Sequence, residues 1–334
     1  MKYPYAVGVV LDHYGYLQPE QVTERLRYST FVSLPKRYLY FEVPKAACTA
    51  IKTLIREIEN APPLKLFIGS PETRRDMFVH ARQNVPLPSL IELSDEEQRE
   101  VLDAPDFFRM TVVRNPYTRL VSGWQNKVVM CEPRYEQIYR DLKGGMPQTG
   151  PKPTISLEEF VAYIESRWDL NTCDPHWRRQ AEHTLQRAMN FSCIGKVEAL
   201  GDTLHRFEQH LGRSKPLLAE RKNPSRRVNQ ETHDARLAPR IHELYRGDFD
   251  TFGYDSTVWP YAGSDGAPVE TRTDVPEEKF RDEIIERNLV IARLYEELNR
   301  PRGGSVRRFL SRAKNRTLGF LGRLVSRPPA GRNR

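Results

Sequence analysis

Two segments constrain this chain more than any others. One is residues 41–52, Phe-Glu-Val-Pro-Lys-Ala-Ala-Cys-Thr-Ala-Ile-Lys; the other is residues 111–122, Thr-Val-Val-Arg-Asn-Pro-Tyr-Thr-Arg-Leu-Val-Ser. Each opens on an apolar, β-prone run, crosses a short polar turn and continues with helical periodicity. A strand that feeds a helix in this way points unsatisfied backbone N–H groups, at the positive end of the helix dipole, toward any anion beside the turn. Both turns are basic, through Lys45 and Arg114. Such turns at the carboxyl ends of parallel strands imply an α/β protein, with a P-loop-like central parallel sheet flanked by helices. Two of them imply a ligand with two anionic groups, such as a doubly phosphorylated nucleotide.

The residue types in each turn support that chemistry. In the first, the N–H groups of Ala46, Ala47, Cys48 and Thr49, with Ala50 behind them, can curl around an oxyanion. Their small side chains permit close approach, Thr49 adds a hydroxyl, and Lys45 adds a mobile charge. The GxxxxGK[ST] phosphate loop is absent, which argues against nucleoside triphosphate hydrolysis. In the second turn Arg114 offers a planar fork for a phosphate. Ser122 lies about two helical turns on and can project toward the same sheet edge, whereas Arg119 is expected in a structural ion pair.

Around these turns the pattern predicts central strands at 38–43, 107–113 and 191–195. Helices are expected at 49–59, from the capping box Ser94-Asp95-Glu96-Glu97 to about Leu102, and after Asn115 with Pro116 in its first position. A second capping box, Ser156-Leu157-Glu158-Glu159, opens the helix 160–168, and another helix runs from the 196–198 turn through Phe207. Residues 74–84 read as a loop or short strand, and 143–154 as a surface loop. The catalytic domain is expected over 1–261, then a Gly/Ser/Pro-rich linker at 262–276, a helix at 277–304 and a tail at 305–334.

The chain of 334 residues carries a formal charge of +8, which suggests nucleic acid until the charge is located. Residues 305–334 hold nine Arg or Lys and no Asp or Glu, so removing those nine from +8 leaves −1 for residues 1–304. The body is nearly neutral and offers neither a basic face nor an aromatic stacking platform, so nucleic acid is not an expected partner. Four cysteines (Cys48, Cys131, Cys173, Cys193) show no CxxC pair and no metal-ligand spacing, which points to a reduced, cytoplasmic chain without a metal. Residues 1–20 contain Asp12, His13 and Glu20 and no long apolar run, so they read as neither signal peptide nor anchor.

Residues 44–49 (Pro-Lys-Ala-Ala-Cys-Thr) resemble the 5′-phosphosulfate loop of carbohydrate sulfotransferases of the chondroitin and HNK-1 type. Residues 113–122 are similar to that family's 3′-phosphate motif. Asp174-Pro175-His176-Trp177 with Gln180, the segment 194–198 and the segment 244–254 extend the resemblance over roughly residues 36–254. It implies 3′-phosphoadenosine 5′-phosphosulfate as sulfate donor, a carbohydrate hydroxyl as acceptor and no metal. Lys45 would stabilise charge on the leaving phosphate. Lys45 to Ala50 would hold the 5′ end, and Arg114 and Ser122 the 3′ phosphate. Asn223 and Ser225 resemble a loop that closes over the adenine and 3′ phosphate. The chain departs from the family with Asn115 in place of Asp, with Trp124 in place of another aromatic residue, and in lacking the N-terminal anchor of the Golgi members. It is more like soluble bacterial relatives.

For the general base, His80 stands where related uronyl 2-O-sulfotransferases place a catalytic histidine. His176 is the second candidate, its setting also suiting acceptor binding or structure. A nucleotide-binding, membrane-surface scaffold without catalysis and a small-molecule kinase are the alternatives to a sulfotransferase.

Along the tail, Val306, Phe309, Leu310, Ala313, Thr317, Phe320, Leu321 and Leu324 share one helical face, with arginines elsewhere around it. A basic amphipathic helix of this kind lies on anionic membrane; a disordered basic extension is the other reading, and Gly319 and Gly322 weaken the helix by about 1 kcal/mol each. The membrane reading makes the protein peripheral at the inner face of the membrane. Full-length protein should then sediment with vesicles containing anionic lipid in a salt-sensitive way, and truncation after Gly304 should abolish this. Equal partitioning of the two forms would leave the tail a disordered extension.

Overall fold

Three short strands in parallel, and a fourth folded back on their edge, set the frame. The computed structural model describes residues 3–62, 79–80, 82–130, 132–145, 154–213 and 235–261. The expected linker, C-terminal helix and basic tail, and the Asn223 and Ser225 loop, lie outside the described residues.

Helices α1 (Tyr5–His13) and α2 (Pro19–Ser29) lead into β1 (Thr30–Ser33), which turns back into β2 (Tyr38–Phe41). Helix α3 (Cys48–Ile58) follows at once, and α4 (Asp95–Asp103) precedes β3 (Phe108–Val113). Next come α5 (Pro116–Trp124), a π-helical turn at Gln125–Val129, α6 (Glu136–Lys143) and α7 (Leu157–Arg167). The short helices α8 (Gln180–His183) and α9 (Gln186–Met189) lead to β4 (Cys193–Lys196), then to α10 (Leu200–His210) and α11 (Leu237–Phe252).

The strand order is β1-β2-β3-β4. Strands β2, β3 and β4 run parallel, pairing Tyr40 with Met110 and Thr111 with Ile194, while β1 is antiparallel to β2. The expected parallel sheet with flanking helices is therefore present. Edge strand β1 and helices α1 and α2 were not anticipated. Thr30–Ser33 is only four residues long and buried throughout, so it shows no alternating period by which to recognise it.

Because the strands are short and buried on both faces, their side chains sort by alternation into two cores. Tyr38, Tyr40, Met110 and Val112 face α3 and α10, whereas Leu39 and Phe41 face α1, α2, α4 and α9. Helix α3 contributes Ile51, Leu54, Ile55 and Ile58 to the first core, and burying each such side chain stabilises the fold by about 1.5–3 kcal/mol. A third core joins α5, α6, α7 and α11 around Trp177. Both capping boxes form as read: Ser94 Oγ accepts from Glu97 N–H and Ser156 Oγ from Glu159 N–H. Asn115 caps α5 through Tyr117 N–H at 3.0 Å. No described helix is long and apolar enough to cross a membrane.

Gly195 in β4 is demanded by packing: a Cβ there would lie 2.1 Å from Thr203 Oγ1 and 2.8 Å from Thr203 Cβ on α10. Both Thr203 positions are fixed by a buried, β-branched side chain. Gly195→Ala should cost about 1–3 kcal/mol, read by urea denaturation, and adding Thr203→Ala should recover most of that loss. Full additivity in the double mutant would show that the two side chains do not compete for this space.

Candidate functional site

The carboxyl ends of β2 and β3 each run straight into a helix, and these two turns lie side by side because their strands are neighbours. In the first turn Lys45 (φ +68°) and Ala47 (φ +57°) both adopt the left-handed conformation, although neither is glycine. Such backbone costs on the order of 1–3 kcal/mol per residue and collects at functional sites. Its effect is to turn successive N–H groups to one side, as in an anion-binding nest. Helix α3 starts without a side-chain cap. The N–H groups of Ala47, Cys48, Thr49 and Ala50 meet no backbone acceptor among the described residues. Ala46 differs from the expectation in one respect: its N–H donates to Val43 O at 3.2 Å, so it serves the turn itself.

Lys45 is largely desolvated, and that burial lowers its ammonium to about 8, with Lys127 and Arg114 adding repulsion against the pull of Cys48 and Glu132. In the second turn Arg114 Nε donates to Thr118 Oγ1 at 3.0 Å and Nη1 to the Lys45 carbonyl at 3.3 Å. That second bond joins the two turns directly. Arg114 Nη2 and the hydroxyl of buried Ser122 have no hydrogen-bond partner among the described residues. Burial also lowers Arg114, against the opposing charges of Tyr261, Glu198 and Tyr254.

Arg119 does not form the expected ion pair. Its buried guanidinium instead donates to three carbonyls: Nε to Pro44 at 3.1 Å, Nη1 to Arg178 at 2.9 Å and Nη2 to Pro175 at 2.7 Å. It therefore clamps the first turn to residues 174–178. From the other side, Gly123 of α5 lets this segment press close, since a Cβ there would meet Trp177 Nε1 at 3.0 Å. Gln180 brackets the end of β3, accepting from Arg114 N–H at 2.9 Å and donating to Arg114 O at 2.8 Å. Asp248 of α11, fully buried, accepts from Gln180 N–H and Ala181 N–H at 2.7 and 2.9 Å. Glu198 accepts from Asn115 N–H and from Tyr254 OH, both at 3.0 Å. Residues of the segments 174–180, 194–198 and 244–254, which extended the resemblance in sequence, thus meet at the two turns.

The two candidate histidines lie in different surroundings. His80 sits over the first turn, Nε2 2.9 Å from Thr49 Oγ1 and Nδ1 3.3 Å from Lys52 Nζ. Beneath it Lys52 and Glu42 form a buried ion pair at 2.5 Å. Burial alone would raise Glu42, but the charge of Lys52 and the contact with His80 bring it down to about 2. His176 is held by Asp174, with Nδ1 2.7 Å from Oδ1, and Tyr135 OH lies 2.9 Å from the same nitrogen. Burial lowers His176, Asp174 opposes this, and Lys127 and Lys45 add to it.

Glu42, Cys48 and His80 bring ligand atoms within 4.8 Å of one another. The set fits a metal poorly: the Lys52 ammonium already occupies the Glu42 carboxylate, and burial raises the Cys48 thiol so that it stays protonated. Glu42, Tyr135 and Lys127 escaped the sequence reading. Glu42 could have been found as an acid ending a buried strand, directly before the basic turn. Tyr135 and Lys127 lie in irregular backbone around the π-helical turn, where no period marks them.

A sequence profile described as "Sulfotransferase family" matches residues 28–255. The chain is similar to carbohydrate sulfotransferase 10 of Pongo abelii, 28% identical over 244 residues that cover 67% of this chain and 66% of the relative. The Homo sapiens form is 27% identical over 244 residues with the same coverage. Carbohydrate sulfotransferase 14 of Homo sapiens is 27% identical over 171 residues, 49% of this chain and 41% of that protein. The chain thus spans just under two thirds of the length of the first of these relatives. No solved structure matches it.

An ammonium lowered to about 8 makes anion capture by the first turn pH-dependent. Lys45 carries its charge below that pH and loses it above, so affinity for a phosphate ester should fall as pH rises from 7 to 9.5. Calorimetry should show the fall in wild type and not in Lys45→Arg, whose guanidinium stays charged. An identical pH dependence in both proteins would assign the titration elsewhere.

Proposed function

We propose, because this chain belongs to the sulfotransferase family, that it transfers a sulfuryl group from 3′-phosphoadenosine 5′-phosphosulfate to a hydroxyl of a carbohydrate. The observation that carries this reading is the pair of anion turns on neighbouring parallel strands, joined by the Arg114 bond to the Lys45 carbonyl. One turn serves each anionic end of the donor. The relatives' names, all carbohydrate sulfotransferases, support the class of acceptor.

In this reading the uncapped N–H groups of residues 47–50 and the Thr49 hydroxyl hold the 5′-phosphosulfate, while Arg114 Nη2 and Ser122 Oγ take the 3′ phosphate. The sulfuryl group passes in line between two oxygens, so the protein contributes placement and charge rather than covalent chemistry. Lys45 faces the bridging oxygen as the S–O bond breaks, and its charge matters most as the leaving phosphate gains its own. From the sequence, His80 is the expected base. In the fold both of its ring nitrogens are engaged, and its contact with Thr49 suits it to orienting the hydroxyl that meets the 5′ end.

Arg114→Ala should weaken binding of adenosine 3′,5′-bisphosphate about tenfold or more while changing affinity for adenosine 5′-phosphate by less than about twofold, a lost charge-assisted hydrogen bond being worth about 1.5–3 kcal/mol. Titration calorimetry reads both. Equal losses for the two ligands would remove Arg114 from the 3′ phosphate, and a wild-type preference for ATP over the bisphosphate would point to a kinase.

A further inference from the structure

We propose that His176 is the catalytic base of this transfer and that Asp174 is its positioning residue. This rests on the sulfuryl-transfer reading above. The placement comes from Arg119, which binds the carbonyls of Pro44 and Pro175 with one guanidinium. The residues that follow those carbonyls are Lys45 and His176, so one rigid planar group sets the leaving-group cation and the imidazole next to each other. Charge coupling between Lys45 and His176 agrees with that proximity.

The ring is oriented as a base requires. Asp174 Oδ1 accepts from His176 Nδ1–H at 2.7 Å and from His176 backbone N–H at 2.9 Å. Tyr135 OH lies 3.3 Å from both Asp174 oxygens, and Arg134 Nη2 is 3.4 Å from Oδ2, so the carboxylate is held from behind. With Nδ1 carrying the proton, Nε2 presents its lone pair, and no described residue hydrogen-bonds to it. A base whose second nitrogen is fixed by a carboxylate is the recurring arrangement for drawing a proton from a hydroxyl. His80 lacks this freedom, since Thr49 and Lys52 engage its two nitrogens.

The step balances as follows. His176 Nε2 takes the proton of the acceptor hydroxyl as its oxygen bonds to sulfur. The bond from sulfur to the 5′-phosphate oxygen breaks, and its electron pair leaves with adenosine 3′,5′-bisphosphate. The imidazolium then releases the proton to solvent.

The test uses full-length protein, donor labelled with ³⁵S, and unsulfated chondroitin, heparosan and dermatan as acceptor probes. His176→Ala and His176→Gln should lower kcat at least ~100-fold, the usual scale of a lost general base, with the Kd for adenosine 3′,5′-bisphosphate within about threefold of wild type. Glutamine keeps a donor toward Asp174 and serves where alanine unfolds the site. His80→Ala should mainly raise the KM for the donor. For Asp174→Asn the readout is the pH profile. The groups facing His176 are Asp174, Tyr135, Lys127 and Lys45. Removing the one negative charge among them should move the acidic limb of kcat to lower pH while lowering its plateau. Asp174→Glu should restore part of the plateau. Activity of both His176 variants within threefold of wild type would overturn the inference, as would a large kcat loss confined to His80→Ala. An unmoved acidic limb in Asp174→Asn would overturn the role of Asp174. Wild-type protein that neither binds the bisphosphate nor sulfates any of the three glycans would overturn the sulfotransferase reading itself, and this inference with it.

Discussion

One buried guanidinium holds the site together. Arg119 lies within α5 yet contacts neither solvent nor a carboxylate among the described residues; its donors end on the carbonyls of Pro44, Pro175 and Arg178. Burying a charge without a counter-ion is costly, and burial accordingly lowers this arginine. The cost is offset by three carbonyl dipoles in a fork geometry that lysine could not match. What results is a fixed distance between a strained turn after β2 and an irregular segment more than a hundred residues later. Neither has regular secondary structure to locate it otherwise.

Other polar ties repeat that logic with different chemistry. Gln180 brackets both backbone groups of Arg114, and Asp248 caps the start of α8, so the end of β3 is fixed through α8 to α11. Glu198 does the same for Asn115 and Tyr254. Each of these polar side chains, buried Gln180 and Asp248 and exposed Glu198, meets backbone groups that the turns would otherwise leave unsatisfied. The apolar cores on the two sheet faces set the strands; these side chains set the loops on them.

This division explains what could be read from the sequence. Strands β2, β3 and β4, helix α3, the Asn115 cap and the two serine capping boxes all follow from local period and cap chemistry. So does the pairing of two basic turns. Strand β1 was illegible because it has four buried residues and pairs only through the hairpin to β2. The role of Arg119 was illegible for another reason: sequence shows a charge, and the usual partner of a charge is an opposite charge. That its partners are carbonyls depends on where residues 174–178 pass, which is tertiary information. The standing of His176 is similar. Asp-Pro-His-Trp is visible, but only the fold shows Asp174 on Nδ1 and Pro175 on the same guanidinium as Pro44.

The electrostatics around the turns point the same way as the geometry. Lys45 feels the charges of Lys127 and Arg114, Arg119 feels that of Arg114, and burial lowers Lys45, Arg114 and Arg119. Of the nearby acids, Glu42 is committed to Lys52 and Glu132 to Lys127 at 2.5 Å. The free protein therefore holds positive charge that its own side chains do not fully balance, beside N–H donors that lack acceptors. Unlike charges about 4 Å apart at an effective dielectric near 20 attract by about 4 kcal/mol, so a ligand with an anion at each end relieves repulsion at both turns together. A singly anionic ligand relieves one and leaves the other. In the proposed reading, selectivity for a doubly anionic nucleotide would arise from the same strained turns and buried cations that are unfavourable in the empty fold.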